Sequence, residues 1–147
     1  MNQELKTCKH CQESKHLEKF PKHKKRKDGT WYRRQMCNPC YNLTKTLYRQ
    51  KKRDWFINYK ENLSCSCCGY SKKTHKNFST WALEFHHHDN NKSNNVANMV
   101  NRGGCSINNI KKEIAKCVVL CCRCHRESHG LEMSWLLYLG IIILNSI

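Results

Sequence analysis

The sequence predicts a small, zinc-stabilised α+β protein: a zinc ribbon over 1–40, a basic linking helix over 41–62 and a second cysteine-rich lobe over 63–147. Three observations carry that prediction. The 147 residues include 12 Cys, eight of which fall into four CxxC pairs; they carry 27 Lys plus Arg against 11 Asp plus Glu; and only 39% are hydrophobic. Such a chain buries one modest core or two small ones, and small cores need a supplement. Disulfides require an oxidising compartment, whereas zinc thiolates suit the cytosol. Met1 to His10 (MNQELKTCKH) has no apolar h-region and no small-residue cleavage site, so the expectation is a cytoplasmic chain with reduced cysteines.

The first element is the ribbon. Cys8 and Cys11, then Cys37 and Cys40, give the spacing of a Cys₄ site, in which each pair forms a knuckle and the two knuckles close a tetrahedron of sulfurs. Between them Asp28-Gly29 is a preferred hairpin turn. It is flanked by Lys22, Lys24, Lys25, Arg26 and Lys27 on one side and by Trp31-Tyr32-Arg33-Arg34 on the other. Basic side chains beside exposed aromatics suit a phosphate backbone; the plainer reading is a solvated loop whose aromatics cover the zinc knuckle.

After Cys40 the residues Tyr41, Thr44, Tyr48, Trp55 and Tyr59 recur at helical steps, with Lys45, Arg49, Lys51, Lys52 and Arg53 around them. One helix from about Asn38 to Lys60 is expected, its stripe for packing and its basic face for tracking phosphates.

The second lobe repeats the metal logic with Cys65 and Cys68, then Cys121 and Cys124. Cys67 and Cys122 lie between ligands, either as spare thiols or as ligands in an alternative register. Gly69 favours the pair that ends just before it, because glycine permits the knuckle's turn. Cys105 and Cys117 read as small core residues. Trp81-Ala82-Leu83-Glu84-Phe85 reads as a strand running into His86-His87-His88-Asp89. Ser106 caps a helix bearing Ile107, Ile110 and Ile114, followed by a short strand from Val118 to Cys121. His125 and His129 stand at i and i+4, on one helix face and close enough to share a metal ion.

These residues resemble the HNH endonucleases and their ββα-metal fold. The resemblance rests on Cys65 to Gly69, on Leu83-Glu84-Phe85-His86-His87 with Asp89, and on Ile110 with Glu113 to Cys117. It is completed by Leu120-Cys121-Cys122-Arg123-Cys124-His125-Arg126 with His129, so that it spans Cys65 to Gly130. The ribbon looks like modules that accompany such domains in phage-type nucleases, which would place the chain in a host cytoplasm and give it a homing or packaging role. The resemblance implies His86, His125 and His129 as ligands of a catalytic divalent ion (Mg²⁺, Mn²⁺, Zn²⁺ or Ni²⁺) and His87 as general base, beside two structural Zn²⁺. A register shifted by one makes His87 the ligand and His88 the base. The middle Asn of the family name, which orients the base, is left open: Asn101, Asn108 and Asn109 lie in the connecting segment, and Arg123 stands where many phage-type relatives have Asn.

The chemistry implied is phosphodiester hydrolysis, in which an imidazole activates water and a cation neutralises charge at the phosphate. Lys92 and Arg126 are candidates for phosphate contact. The implied partner is double-stranded DNA, and charge agrees: eight zinc-bound thiolates and two Zn²⁺ leave about +12 of the formal +16, a strong attraction for a polyanion. The alternatives are a noncatalytic zinc-dependent DNA-binding protein, cleavage of RNA by the same site, and CxxC redox chemistry, for which no βαβ context is apparent. A membrane role is disfavoured, because the longest apolar run, Trp135 to Leu144, is short of the roughly 18 residues of a spanning helix.

Overall fold

The computed structural model describes residues 4–87, 91–102 and 104–130. The readings placed on His88, Asp89 and the run from Trp135 to Leu144 lie outside them. The chain divides into two compact units, Met1–Gln50 and Lys51–Ile147.

The first unit holds two short antiparallel hairpins. Strand β1 (Leu5–Thr7) pairs with β2 (Ser14–His16), and β3 (Lys22–Lys25) pairs with β4 (Trp31–Arg33). The turn between β3 and β4 is closed by Asp28, whose Oδ1 accepts the Thr30 amide at 2.9 Å and its hydroxyl at 2.7 Å, while Gly29 takes φ +85°. That conformation is costly for any residue with a Cβ and explains the Asp-Gly pair. The core is small: Cys8, Phe20, Cys37 and Cys40, with Cys11 and Met36 against them. Cysteines that could hold a metal ion therefore form most of it.

Helix α1 (Asn38–Glu61) starts inside the second knuckle and runs through the boundary between the units. The expected single helix is present, but its stripe divides. Trp55 and Tyr59 pack with Phe56 against the buried core of the second unit, whereas Tyr48 is exposed. Lys52, expected on the basic face, is instead fully buried, its Nζ donating to the carbonyls of Met99 at 3.1 Å and Arg102 at 2.8 Å. The last carbonyls of a helix lack internal partners and carry its negative dipole end, which is where a cation is held best.

In the second unit β5 (Leu83–His87) pairs antiparallel with β6 (Cys117–Cys121), and β6 leads directly into α4 (Cys122–Gly130). Between the strands lie α2 (Val96–Asn101) and α3 (Ile107–Ile114). Ser106 caps α3 as expected, its Oγ accepting the Asn109 amide at 3.2 Å. Helix α2 goes beyond the elements expected from sequence, although Asn95 caps it and Val96 and Val100 bury one face. Trp81 and Ala82 belong to a 3₁₀ turn, not to the strand, because Ser79 Oγ accepts the Trp81 amide and closes the backbone there. Trp81 is accordingly 81% exposed. Strand β5 begins at Leu83 and continues through both histidines. Its start is fixed by Lys60, whose Nζ donates to Thr80 O at 3.2 Å and Leu83 O at 2.6 Å.

Two cores flank this frame. Leu83 and Leu120 pack with Cys65, Cys121 and Cys124; Val96, Val100, Ile110 and Ile114 form the other, with Phe85 against it. Among the described residues no helix is long and apolar enough to cross a membrane.

Candidate functional site

Both cysteine sets predicted from spacing converge. The sulfurs of Cys8, Cys11, Cys37 and Cys40, and separately those of Cys65, Cys68, Cys121 and Cys124, lie within 4.8 Å of one another. A tetrahedron with Zn–S of about 2.3 Å has edges of about 3.8 Å. Cys11 and Cys37 are 3.9 Å apart and Cys68 and Cys121 are 3.7 Å apart, so both sites have the dimensions of a structural zinc site. Cys67 and Cys122 are exposed and outside both groups, and Cys105 and Cys117 are half-buried beside the α2–α3 core.

The two leading knuckles are closed alike. The amide of Gln12 donates to Cys8 O and that of Gly69 to Cys65 O, both at 2.9 Å, and both residues take positive φ, +60° and +72°. Glycine made the second legible in the sequence; Gln12 accepts the same strain with no such signal. Backbone amides then point at sulfur: His10 and Cys37 donate to Cys8 Sγ at 3.4 and 3.3 Å, and Cys124 to Cys121 Sγ at 3.4 Å.

Burial raises the Cys8 thiol, yet amides of Cys11, Cys37 and His10 outweigh it and bring it down to about 5. Cys65, opposed by burial in the same way, is brought down to about 7 by the amides of Cys68, Cys121 and Cys67. Cys40 moves the other way, up to about 12, through the Cys37 thiol beside it and burial. Burial and the Cys121 thiol likewise push Cys124 up. Four thiolates cannot share so small a volume without a cation, which is the chemistry of a Cys₄ zinc site.

A third group forms on one face of β5. Alternation sends Glu84 and His86 to one side of the strand, and Phe85 and His87 to the other. On the first side His86 meets His125 and His129 of α4, all three ring centroids being 4.9 Å apart and the ligand atoms within 4.8 Å. His125 Nε2 and His129 Nε2 are 3.2 Å apart, close to the edge set by metal–nitrogen bonds of about 2.1 Å. His125 Nδ1 is hydrogen-bonded to Glu84 Oε2, which turns Nε2 toward the shared point. Sequence reasoning missed Glu84 as a functional residue, although its place two residues before His86 puts it on the same strand face.

His87 is not in that group. Its side chain is 8% exposed, and its Nε2 lies 2.9 Å from Glu113 Oε1 on the opposite face. Glu113 is buried, and the same oxygen accepts the amides of Ser93 at 2.8 Å and Asn94 at 3.2 Å, while Oε2 accepts Lys116 Nζ at 2.9 Å. Burial alone would raise this carboxyl, but hydrogen bonds from Lys116, Asn94, Ser93 and His87 together hold it at about 2. Of the two described histidines of β5, His86 and not His87 joins His125 and His129. The residues considered for the middle Asn role offer His87 no buried partner. Asn101, Asn108 and Asn109 are exposed, and Arg123 is exposed with its Nε donating to Glu127 at 2.8 Å.

Of the basic residues singled out, Lys22, Lys24, Lys25, Arg26 and Lys27 are exposed, as are Lys92 and Arg126. The hairpin aromatics do not cover the knuckle: Trp31 and Tyr32 are 42% and 54% exposed. Lys22 Nζ lies 5.4 Å from the Trp31 ring and the Arg26 guanidinium 4.2 Å from the Tyr32 ring. Arg33 and Arg34 are less free. Arg33 Nη1 donates to Phe20 O at 2.9 Å, and the Arg34 guanidinium sits 4.6 Å from the Tyr41 ring.

Comparison with family models, with curated proteins and with solved structures finds no match to this chain.

Proposed function

We propose that the chain is a metal-dependent endonuclease of the HNH type that hydrolyses phosphodiester bonds in double-stranded DNA. One observation carries this reading: His86 of β5 converges with His125 and His129 of α4, where β5 pairs with β6 and the β6–α4 junction carries Cys121 and Cys124 of a Cys₄ group. A purely structural protein has no use for three imidazoles, two half-buried and one exposed, converging beside a Cys₄ group. A divalent cation held by these rings supplies charge neutralisation at the phosphate. The rest is the work of the chain's own side chains. Glu84 holds His125 in one tautomer, and His87 takes the proton of the attacking water. The resulting hydroxide bonds to phosphorus, the P–O3′ bond breaks, and the 3′ oxygen takes a proton from solvent water, which leaves a 3′ hydroxyl and a 5′ phosphate. Arg126 and Lys92 contact phosphate, and the β3–β4 hairpin follows the backbone of the duplex.

Supercoiled plasmid incubated with the purified protein and Mg²⁺ or Mn²⁺ should be nicked or linearised, with ends that DNA ligase reseals. Intact plasmid together with tight DNA binding would instead assign a noncatalytic zinc-dependent DNA-binding protein.

The hairpin makes a separate prediction. Binding to arbitrary duplex DNA should weaken steeply with salt through counterion release. Replacing Lys24, Lys25, Arg26 and Lys27 by Gln should reduce the slope of log K against log salt by about 0.9 for each phosphate that the variant no longer neutralises. An unchanged slope would remove the hairpin from the interface.

A further inference from the structure

An imidazole acts as a base through one nitrogen, and which nitrogen that is depends on what the other one bonds. In this chain the asparagine that would settle the matter has no counterpart. Glu113 Oε1 stands 2.9 Å from His87 Nε2, and three other donors already converge on the carboxyl: the amides of Ser93 and Asn94 and the Lys116 ammonium. A carboxyl receiving that many donors is ionised and can only accept, so Nε2 carries the proton and the lone pair of the neutral ring lies on Nδ1. Position is fixed as well as tautomer. Glu113 is 4% exposed at its side chain and sits in α3, whose Ile110 and Ile114 are in the core, while Lys116 is tied to Asn91 O at 3.1 Å and Ser93 Oγ at 2.8 Å.

We infer that Glu113 is the positioning residue of the general base, holding His87 in the Nε2–H tautomer so that Nδ1 faces the water, in place of the absent asparagine. The inference rests on the nuclease reading for its catalytic consequence, but not for the hydrogen bond itself. The same carboxylate, by accepting the Ser93 and Asn94 amides, also sets where the chain after β5 returns toward α2. The arrangement follows the logic of a histidine oriented by a buried carboxylate in hydrolytic triads.

The test uses the full chain with both zinc sites filled. Ring ¹⁵N shifts of His87, recorded well above the pH at which free imidazole titrates, should report the Nε2–H tautomer in the parent protein. In Glu113→Ala that signature should give way to a tautomer mixture. In single-turnover plasmid cleavage at saturating Mn²⁺, Glu113→Ala should lose roughly 10- to 100-fold in rate, with Ni²⁺ affinity at His86, His125 and His129 unchanged. Glu113→Gln, whose amide oxygen still accepts from Nε2, should recover part of that loss. Should Glu113→Ala not fold, the tautomer of His87 in the parent protein still decides the matter. An Nδ1–H tautomer in the parent, or a folded Glu113→Ala that cleaves at the parent rate, would overturn the inference. A parent with the Nε2–H signature but no cleavage under any divalent ion would instead overturn the nuclease reading and leave the Glu113–His87 pair standing.

Discussion

His87→Ala should lower single-turnover cleavage by roughly 10²- to 10⁴-fold, the usual contribution of a positioned general base, while leaving DNA affinity and metal affinity nearly unchanged. The split follows from the strand. His86 stands on one face of β5 with the other two imidazoles, and His87 stands on the opposite face against Glu113, so removing one ring does not remove a ligand. The substitution also leaves a buried carboxylate short of one donor, which should cost about 1–3 kcal/mol of stability and is measured by thermal unfolding of the same sample. His125→Ala or His129→Ala should behave oppositely, weakening Ni²⁺ and Zn²⁺ binding and regaining part of the activity at high Mg²⁺ or Mn²⁺. The comparison that decides the register is His88→Ala in the same assay. A dead His88→Ala beside a His87→Ala that has lost metal would shift the assignment by one residue, and full activity in both would end the nuclease reading.

Zinc loss should have the larger effect on folding. The purified protein should hold two Zn²⁺ that survive dialysis, and Cys8→Ser or Cys65→Ser should each remove one and unfold its own unit. In the first unit the ligands themselves are most of the core beside Phe20, so little remains to hold the hairpins together without the metal. Acid should empty both sites, because Zn²⁺ binds thiolates and protons compete for them. A thiol whose pKa is lowered by the fold, as those of Cys8 and Cys65 are, stabilises it above the thiol's ordinary pKa, and that stabilisation disappears as pH falls through the folded value. Release is followed with a chromogenic chelator and unfolding with circular dichroism; a fold that survives the loss of both ions would show that the metal does not hold the units together.

Much of this was legible in the sequence because it depends on short separations. The CxxC spacing of Cys8 with Cys11 and of Cys65 with Cys68 defines a knuckle without reference to anything distant, and so does the i, i+4 pair His125 and His129. Ser106 announced a helix start, and Asp28-Gly29 a tight turn, for the same local reasons. The errors have equally specific causes. Trp81 and Ala82 fit an alternating pattern, but a single side-chain acceptor, Ser79 Oγ, bends the backbone before the strand begins. Lys52 belongs to a basic run by composition, and its neighbours Lys51 and Arg53 are exposed; it is buried only because the end of α2 arrives at it.

By itself the sequence determined which residues can bind metal, how they pair into knuckles, that the chain is strongly basic, and that two imidazoles share one helix face. These are properties of residue type and of separations within a few residues, where chain geometry leaves little choice. Only the tertiary structure decided that β5 pairs with β6 in the register that sets His86↔Val118 and His87↔Cys117, and hence which histidine joins α4 and which turns to α3. It alone brought Glu84 to His125 across 41 residues and Glu113 to His87 across 26. Side chains alternate along a strand with a period of two, so a slip of one residue exchanges the two faces, and nothing within β5 distinguishes the two outcomes. The choice is made by what each face meets: buried apolar residues of α2 and α3 on the side of Phe85, and the imidazoles of α4 on the side of Glu84 and His86.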